Sequence, residues 1–470
     1  MHTYDINFHD VKQYLDKITD YLVHAEQTAP IEFKAPGDLA EAVHLALPEK
    51  PCSPHQLSHF IDQYLRYAVN TRHHGFMNQL WSKTLLSGFV GETLAAATNT
   101  SVYTYEAAPL ASLLEQHIVR ALTALVWSAP GDGIMTSGGT ASNLQALLTA
   151  RNNHDQHIKH EGMCRQRLAI FSSRDAHYSV KRAANVLGIG MEQVIEVEPD
   201  AGRTMGATAL ARAMDQAVKR GLTPFCVVAT AGTTVYGAYD QIGAIADLLA
   251  TMRADQRPWL HVDGALGASV LFSDQHKGLL QGIAKADSLA WDFHKMLGLH
   301  LPCAFLLVRK QQLLKEVIST ANDRYLFHDD NQMDLGNKSM QCGRRVDVIK
   351  LWLAWLASGT QGFAKRVDDL FDLAQYAEEY VVQHPELVLV SPRVSVNICF
   401  RFKPYQKNLV IAVRDLLIQR GQYMLNYASD AAGPFFRLVL TNPDLSKEQL
   451  NTLLDTIVRT GQELAAEDCC

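Results

Sequence analysis

The sequence predicts an α/β protein of at least two domains, with a helical segment ahead of them. Three observations carry this. The chain has 470 residues, more than one compact core normally holds. Across residues 98–350, short apolar runs alternate with longer helical patterns. Beyond that, in residues 351–470, the pattern changes to a smaller α+β region.

The elements follow in order. Residues 1–97 read as helical, opening on the amphipathic MHTYDINFHDVKQYLDKITDYL and interrupted at Pro48, Pro51 and Pro54. In 98–350, RLAIFSS, PFCVVATAG, WLHVDGA, DSLAWDF and AFLLVRK read as buried strands, and ASNLQALLTARNN and YSVKRAANVLG as helices. Strands alternating with helices predict a mostly parallel sheet joined by crossovers. A long helix in VDVIKLWLAWLAS then leads into strands ELVLVS, VNICFRF and FFRLVLTN and a closing helix, LSKEQLNTLLDTIVRTGQELA.

Composition excludes several classes. No apolar run approaches the ~18 residues of a membrane span. The N-terminus lacks the basic start and apolar block of a secretion signal, so a cytoplasmic chain with no membrane partner is expected. The net charge of −6 and the lack of an Arg/Lys-rich tract argue against a nucleic-acid partner. The same charge means that an anionic substrate needs a specific buried cation. The eight cysteines are scattered, with no CxxC pair and no zinc spacing, so no metal centre is expected and the thiols read as reduced.

One pair of residues suggests a chemistry. Asp263, in WLHVDGALGASV, and Lys295, in ADSLAWDFHKMLG, each follow a short apolar run, which puts both at strand ends, where open α/β sheets place ligands. A lysine amine can form a Schiff base with a cofactor aldehyde, and a carboxylate can keep a pyridine nitrogen protonated. That pairing suits pyridoxal 5'-phosphate. Taken singly, Asp263 also reads as a strand-end acid paired with a helix terminus, and Lys295 as a solvated surface lysine.

Other segments gain weight beside this pair. In IMTSGGTASNLQALL, Gly138 and Gly139 allow close backbone approach, and Thr140 opens a helix whose N-terminus attracts phosphate; alone, the segment reads as an ordinary N-cap. His177, in SSRDAHYSVKRAAN, fits either a capping histidine or an imidazole stacked on a cofactor ring. Thr230, in VVATAGTTVYGAYD, fits either a hydroxyl-rich loop or the edge of that ring.

With these motifs in view, the chain resembles the group II pyridoxal-phosphate decarboxylases, closest to the glutamate, cysteine sulfinate and aspartate decarboxylase branch. The resemblance runs in family order through GFMNQLWSK, NTSVYTYEAAPLASLLE, TSGGTASNL, DAHYSVKRAA, ATAGTTVYGAYD, HVDGALG, ADSLAWDFHKML, MQCGRRVDVIKLWLAW and GPFFRLVLTNP. Leu266 stands where an aromatic is usual, and WDFHKML replaces the usual NPHK context. The resemblance implies the fold type I, aspartate aminotransferase-like architecture with a seven-stranded sheet. It also implies a homodimer with the site at the interface. Lys295 would be the Schiff-base lysine and Asp263 the pyridinium partner. Ala265 would lie beneath the ring and His177 above it, with Gly139, Thr140 and His294 on the phosphate. Gln79 and Arg437 would bind the substrate's acid groups; the rival reading of Arg437 is an ion pair between domains. Tyr325, in the polar stretch STANDRYLFHDDNQMDLGNKSMQ, would return a proton to the α-carbon from a mobile loop, or else anchor that loop by packing.

The implied activity is decarboxylation of an acidic L-amino acid (aspartate, glutamate or cysteine sulfinate) to an amine and carbon dioxide. The alternatives are decarboxylation of a basic amino acid such as 2,4-diaminobutyrate, an aminotransferase or lyase on the same cofactor, and a catalytically inert binding protein. The intact set Asp263, Lys295 and His177 argues against the last. One methylene of substrate is worth only ~1–3 kcal/mol, so no motif separates the three acids.

Overall fold

The computed structural model describes residues 6–163, 166–320, 326–327, 333–404, 406 and 408–467. They fall into two compact units. The larger is Thr84–Gln375 with Ser391–Asn397; the smaller comprises the described residues of Met1–Lys83, Tyr376–Val390 and Ile398–Cys470.

The larger unit is built on a seven-stranded sheet. Its strands are β1 (Asp132–Thr136), β2 (Leu168–Ser173), β3 (Val194–Val197), β4 (Thr223–Thr230), β5 (Trp259–Asp263), β6 (Ser288–Asp292) and β7 (Ala304–Val308). Their order is β1-β7-β6-β5-β4-β2-β3. Only β7 runs against its neighbours, so β1 points the same way as the parallel set β2 to β6. The predicted α/β class and mostly parallel sheet are present. The strands carry long apolar runs because both faces are covered: β2, β6 and β7 are buried at every position.

The helix Gly139–His154 leaves β1 and packs Leu147 and Ala150 into a core with Leu168 and Ile170 of β2 and Phe225 and Val228 of β4. The loops after β1, β2, β4, β5 and β6 all emerge at the carboxyl edge of the sheet. Asp263 ends β5 beside Thr230 of β4 and Ala290 of β6. Sequence order thus delivers five loops to one edge, the place where ligands of open α/β sheets sit.

In the smaller unit, β8 (Leu387–Leu389), β9 (Asn397–Phe402), β10 (Asn426–Asp430) and β11 (Gly433–Val439) form a sheet in the order β10-β11-β9-β8. Strand β10, with sequence NYASD, carries no apolar alternation and was not among the predicted strands. It forms because β11 offers it a complete antiparallel edge from Asn426–Arg437 to Asp430–Gly433. Phe76, Ile418 and Met424 make a core with Ile31, Val69 and Trp81, which ties the amino-terminal segment to this unit. The helix Val348–Gln383 is interrupted at Gly359, whose φ of 64° is accessible to glycine at little cost. No helix among the described residues is long and apolar enough to cross a membrane. Cys52, Cys226, Cys303, Cys342 and Cys399 are free thiols.

A buried ion pair braces β1. The Arg344 guanidinium lies 2.5 Å from Glu115 and donates to the carbonyl oxygens of Val102 (2.6 Å) and Met135 (3.3 Å). Glu115 in turn accepts the Met135 N–H at 2.8 Å. The QCGRRVD segment therefore holds the strand that feeds the Gly138–Gly139 turn. Removing one partner of a buried pair leaves an uncompensated charge, at a cost of about 3–5 kcal/mol. Arg344→Met should lower the unfolding free energy obtained from urea titration by that order, and adding Glu115→Gln should restore part of the loss.

Candidate active site

The residues singled out at the carboxyl edge come together. Asp263 is 5% exposed. One of its oxygens, Oδ1, accepts the Ala265 N–H at 3.1 Å, and Oδ2 accepts from Asn143 Nδ2 at 2.7 Å. Gly139 sits at the mouth of β1 and starts the following helix, with Gly138 before it at φ 121°. A Cβ at position 139 would stand 2.8 Å from Asp292 Oδ2 and 3.1 Å from Ala265 Cβ, so glycine alone fits. Thr140 follows, half-buried, in the first turn of the helix.

Lys295 lies just past β6. Its Nζ is 3.2 Å from Asp292 Oδ2, and His294 Nε2 is 3.6 Å from the same oxygen. Asp292 Oδ2 also accepts the Gly139 N–H at 3.3 Å. His294 is buried against the Cys303 backbone, and burial pushes its pKa down. His177 follows β2; its Nδ1 is 2.9 Å from Ser179 Oγ. Burial lowers the His177 pKa, opposed by the charge of Asp263; the charges of Lys295 and Asp292 also reach the ring. Thr230, at the end of β4, is buried, and its Oγ1 has no hydrogen-bond partner among the described residues. Asp240 pins the loop that follows, accepting the N–H of Thr230 at 2.7 Å and of Met205 at 2.6 Å.

Gln79 and Arg437 belong to the smaller unit. Arg437 lies on β11, 7% exposed, and its Nη2 donates to the Asn78 carbonyl oxygen at 2.7 Å, placing the guanidinium next to the Gln79 backbone. Burial lowers its pKa. Tyr325 lies outside the described residues.

This donor set fits pyridoxal phosphate. An amine stands beside a glycine turn at a helix start, a buried carboxylate keeps acceptor capacity, an imidazole is held near both, and Thr230 offers an unused hydroxyl. The comparisons with known proteins point the same way. Residues 36–403 match the pyridoxal-dependent decarboxylase conserved domain. The chain belongs to this family. It is a pyridoxal-phosphate-dependent carboxy-lyase. Human cysteine sulfinic acid decarboxylase is 37% identical over 455 residues, covering 92% of this chain and 91% of the relative. The bovine acidic amino acid decarboxylase GADL1 is 37% identical over 454 residues, covering 92% and 86%. The crystal structure of mouse CSAD superposes with a TM-score of 0.91 at 34% identity, covering 97% of this chain and 99% of that one.

The candidate site brings in residues that sequence reasoning missed: Asn143, Ser179, His261 and Asp292. Signals for two were present. His261 and Asp263 are two apart on one strand and so share a face. Asn143 lies one helical turn beyond Gly139 and so stays near the turn. Asp292 carried only its place in the WDFHKML departure.

Gly139 supplies a test of the cradle. A methyl group there forces Asp292 or Ala265 to move, and overpacking of this kind costs about 1–3 kcal/mol. Gly139→Ala should therefore bind pyridoxal phosphate roughly ten- to a hundredfold more weakly, with an unchanged far-UV spectrum, as measured by equilibrium dialysis.

Proposed function

We propose that the chain removes the α-carboxylate of an acidic L-amino acid (aspartate, glutamate or cysteine sulfinate) and releases the amine and carbon dioxide. The observation that carries the choice of acid is Arg437. A net charge of −6 gives an anion no general attraction, and this guanidinium is buried on a strand with a fixed orientation. Its planar fork suits a carboxylate or sulfinate. The similarity to relatives named for cysteine sulfinic acid and acidic amino acids supports the same reading.

The cofactor, once bound, supplies a ring that takes up the electron pair left by carbon dioxide. The protein's part is positioning. Lys295 would be the amine that holds the cofactor aldehyde. Asp263, held by two donors, would keep the ring nitrogen protonated. Ala265 and His177 would bound the ring; Gly138, Gly139, Thr140 and His294 would bind the phosphate; and Thr230 would serve the ring edge. Gln79 and Arg437 grip the substrate's acid groups, so that binding energy goes into orientation.

We also place the working form as a cytoplasmic homodimer. The helix Leu86–Thr98 exposes Leu86, Val90 and Leu94 along one face, and the helix Pro109–Trp127 exposes Leu110, Leu113 and Leu125. Such stripes suit a subunit contact. The free thiols fit a reducing compartment.

Lysine 295 and Arg437 can be tested apart. Lys295→Ala should abolish borohydride trapping of the cofactor and stop carbon dioxide release. Loss of a charge-assisted hydrogen bond costs about 1.5–3 kcal/mol, so Arg437→Met should lower kcat/KM for acidic substrates about ten- to a hundredfold and leave neutral ones little changed. An unaltered preference across a panel of L-amino acids would remove Arg437 from the pocket. Val90→Asp should shift the sedimentation coefficient from dimer to monomer.

A further inference from the structure

Behind Asp263, a line of buried polar side chains runs through the larger unit. Trp259 Nε1 lies 2.8 Å from Ser288 Oγ, and Ser288 Oγ lies 2.8 Å from His261 Nδ1. His261 Nε2 is 3.0 Å from Asn143 Oδ1. Asn143 Nδ2 then reaches both Asp263 Oδ2, at 2.7 Å, and Ser179 Oγ, at 2.9 Å. Ser179 Oγ is 2.9 Å from His177 Nδ1. Asn143, Ser179, His261 and Ser288 are all 1% exposed or less.

The chemistry of the groups fixes the direction of the bonds from Asp263 back to Trp259. A carboxylate only accepts, so Asn143 must present its NH2 to Asp263 and its oxygen to His261. Reversing the amide would set two acceptors 2.7 Å apart. His261 must then carry its proton on Nε2. Burial favours the neutral ring, with its pKa pushed down to about 4 despite the pull of Asp263. A neutral ring protonated at Nε2 accepts at Nδ1, so Ser288 donates there. Ser288 oxygen is left to accept, and its other neighbour, the Trp259 indole, can only donate. The two ends of the line agree.

The second N–H of Asn143 goes to Ser179, whose hydroxyl proton then points to His177 Nδ1. The Ser179 backbone N–H also approaches His177 Nδ1, at 3.3 Å. Nδ1 therefore accepts, and His177 keeps its proton on Nε2.

We propose that Asn143 is a positioning residue whose one amide group sets both the ring-nitrogen partner Asp263 and the ring-face imidazole His177. Trp259, Ser288 and His261 are the backing that fixes its orientation. Two N–H bonds on one planar NH2 cannot move independently, so the acid and the imidazole are held as a unit. His177 enters the site as a hydrogen-bond donor at Nε2 and takes no proton there. This rests on the cofactor reading of Asp263 and His177. The geometry of the line itself does not.

The test uses the full-length holoenzyme. Nitrogen-15 NMR of histidine-labelled protein should show His261 and His177 as neutral rings protonated at Nε2, with His261→Gln and His177→Gln assigning the signals. His261 should give the same tautomer after the cofactor is removed. Asn143→Asp, which keeps the shape and removes both donors, should weaken retention of pyridoxal phosphate roughly ten- to a hundredfold. His261→Leu should lower kcat about tenfold with KM little changed, and His261→Gln, which can still donate to Asn143 and accept from Ser288, should recover most of the loss. A proton on Nδ1 of either histidine in the unaltered protein overturns the proposal, even if Asn143→Asp fails to fold. So does an Asn143→Asp enzyme that holds cofactor normally. Borohydride trapping at Lys295 in the unaltered protein tests the cofactor reading separately.

Discussion

A carboxylate held at 5% exposure is costly unless its oxygens find donors. Asp263 has two, the Ala265 N–H and Asn143 Nδ2, and the rest of the larger unit is arranged so that both are in place. The Ala265 amide comes from the turn that immediately leaves β5. Asn143 comes from the helix after β1, at the far edge of the sheet in strand order. It reaches Asp263 because that helix crosses the sheet and packs on β2 and β4. A surface acid would need none of this. The buried strands, the glycine turn that lets the helix start against Asp292, and the Arg344–Glu115 brace on β1 all help bring that amide to within 2.7 Å of the carboxylate.

The opposite problem arises for Arg437. Burial disfavours its charge, and its Nη2 donates to the Asn78 carbonyl oxygen. The planar fork of a guanidinium suits a carboxylate or sulfinate. Such a group matters in a chain with a net charge of −6, whose general field repels an acidic substrate. Each unit thus buries a charge of its own, Asp263 in the larger and Arg437 in the smaller.

Much of this was legible in the sequence, for identifiable reasons. Strands β2, β4, β5, β6 and β7 announce themselves because sheets covered on both faces need unbroken apolar runs. Asp263 and Lys295 stand out because a charge directly after such a run has to be paid for. The edge strand β10 was not legible, since NYASD owes its conformation to the hydrogen bonds β11 offers. The strand in β1 was overshadowed by the glycine turn after it. Asn143 and Ser179 were illegible as site residues for a different reason: short polar side chains near a helix start are usually caps, and only the fold shows that they meet Asp263 and His177. The place of Gln79 beside Arg437 depends on the Asn78 carbonyl, a backbone contact that no residue pattern encodes.

Asp292 shows what a local departure does to the balance of charge. Its Oδ2 is shared by the Lys295 ammonium, the Gly139 N–H and the neighbourhood of His294, while Oδ1 has no hydrogen-bond partner among the described residues. Lys295 is therefore held by a carboxylate that is itself nearly fully buried. If the lysine moves, Asp292 keeps a single backbone donor, an arrangement that low dielectric makes expensive. His294, buried and 3.6 Å away, is the side chain placed to close that gap. The lysine's freedom is thus tied to the position of the neighbouring histidine, and the same oxygen that steadies the amine also touches the glycine turn proposed to hold phosphate. A shift at any one of the three is felt at the other two.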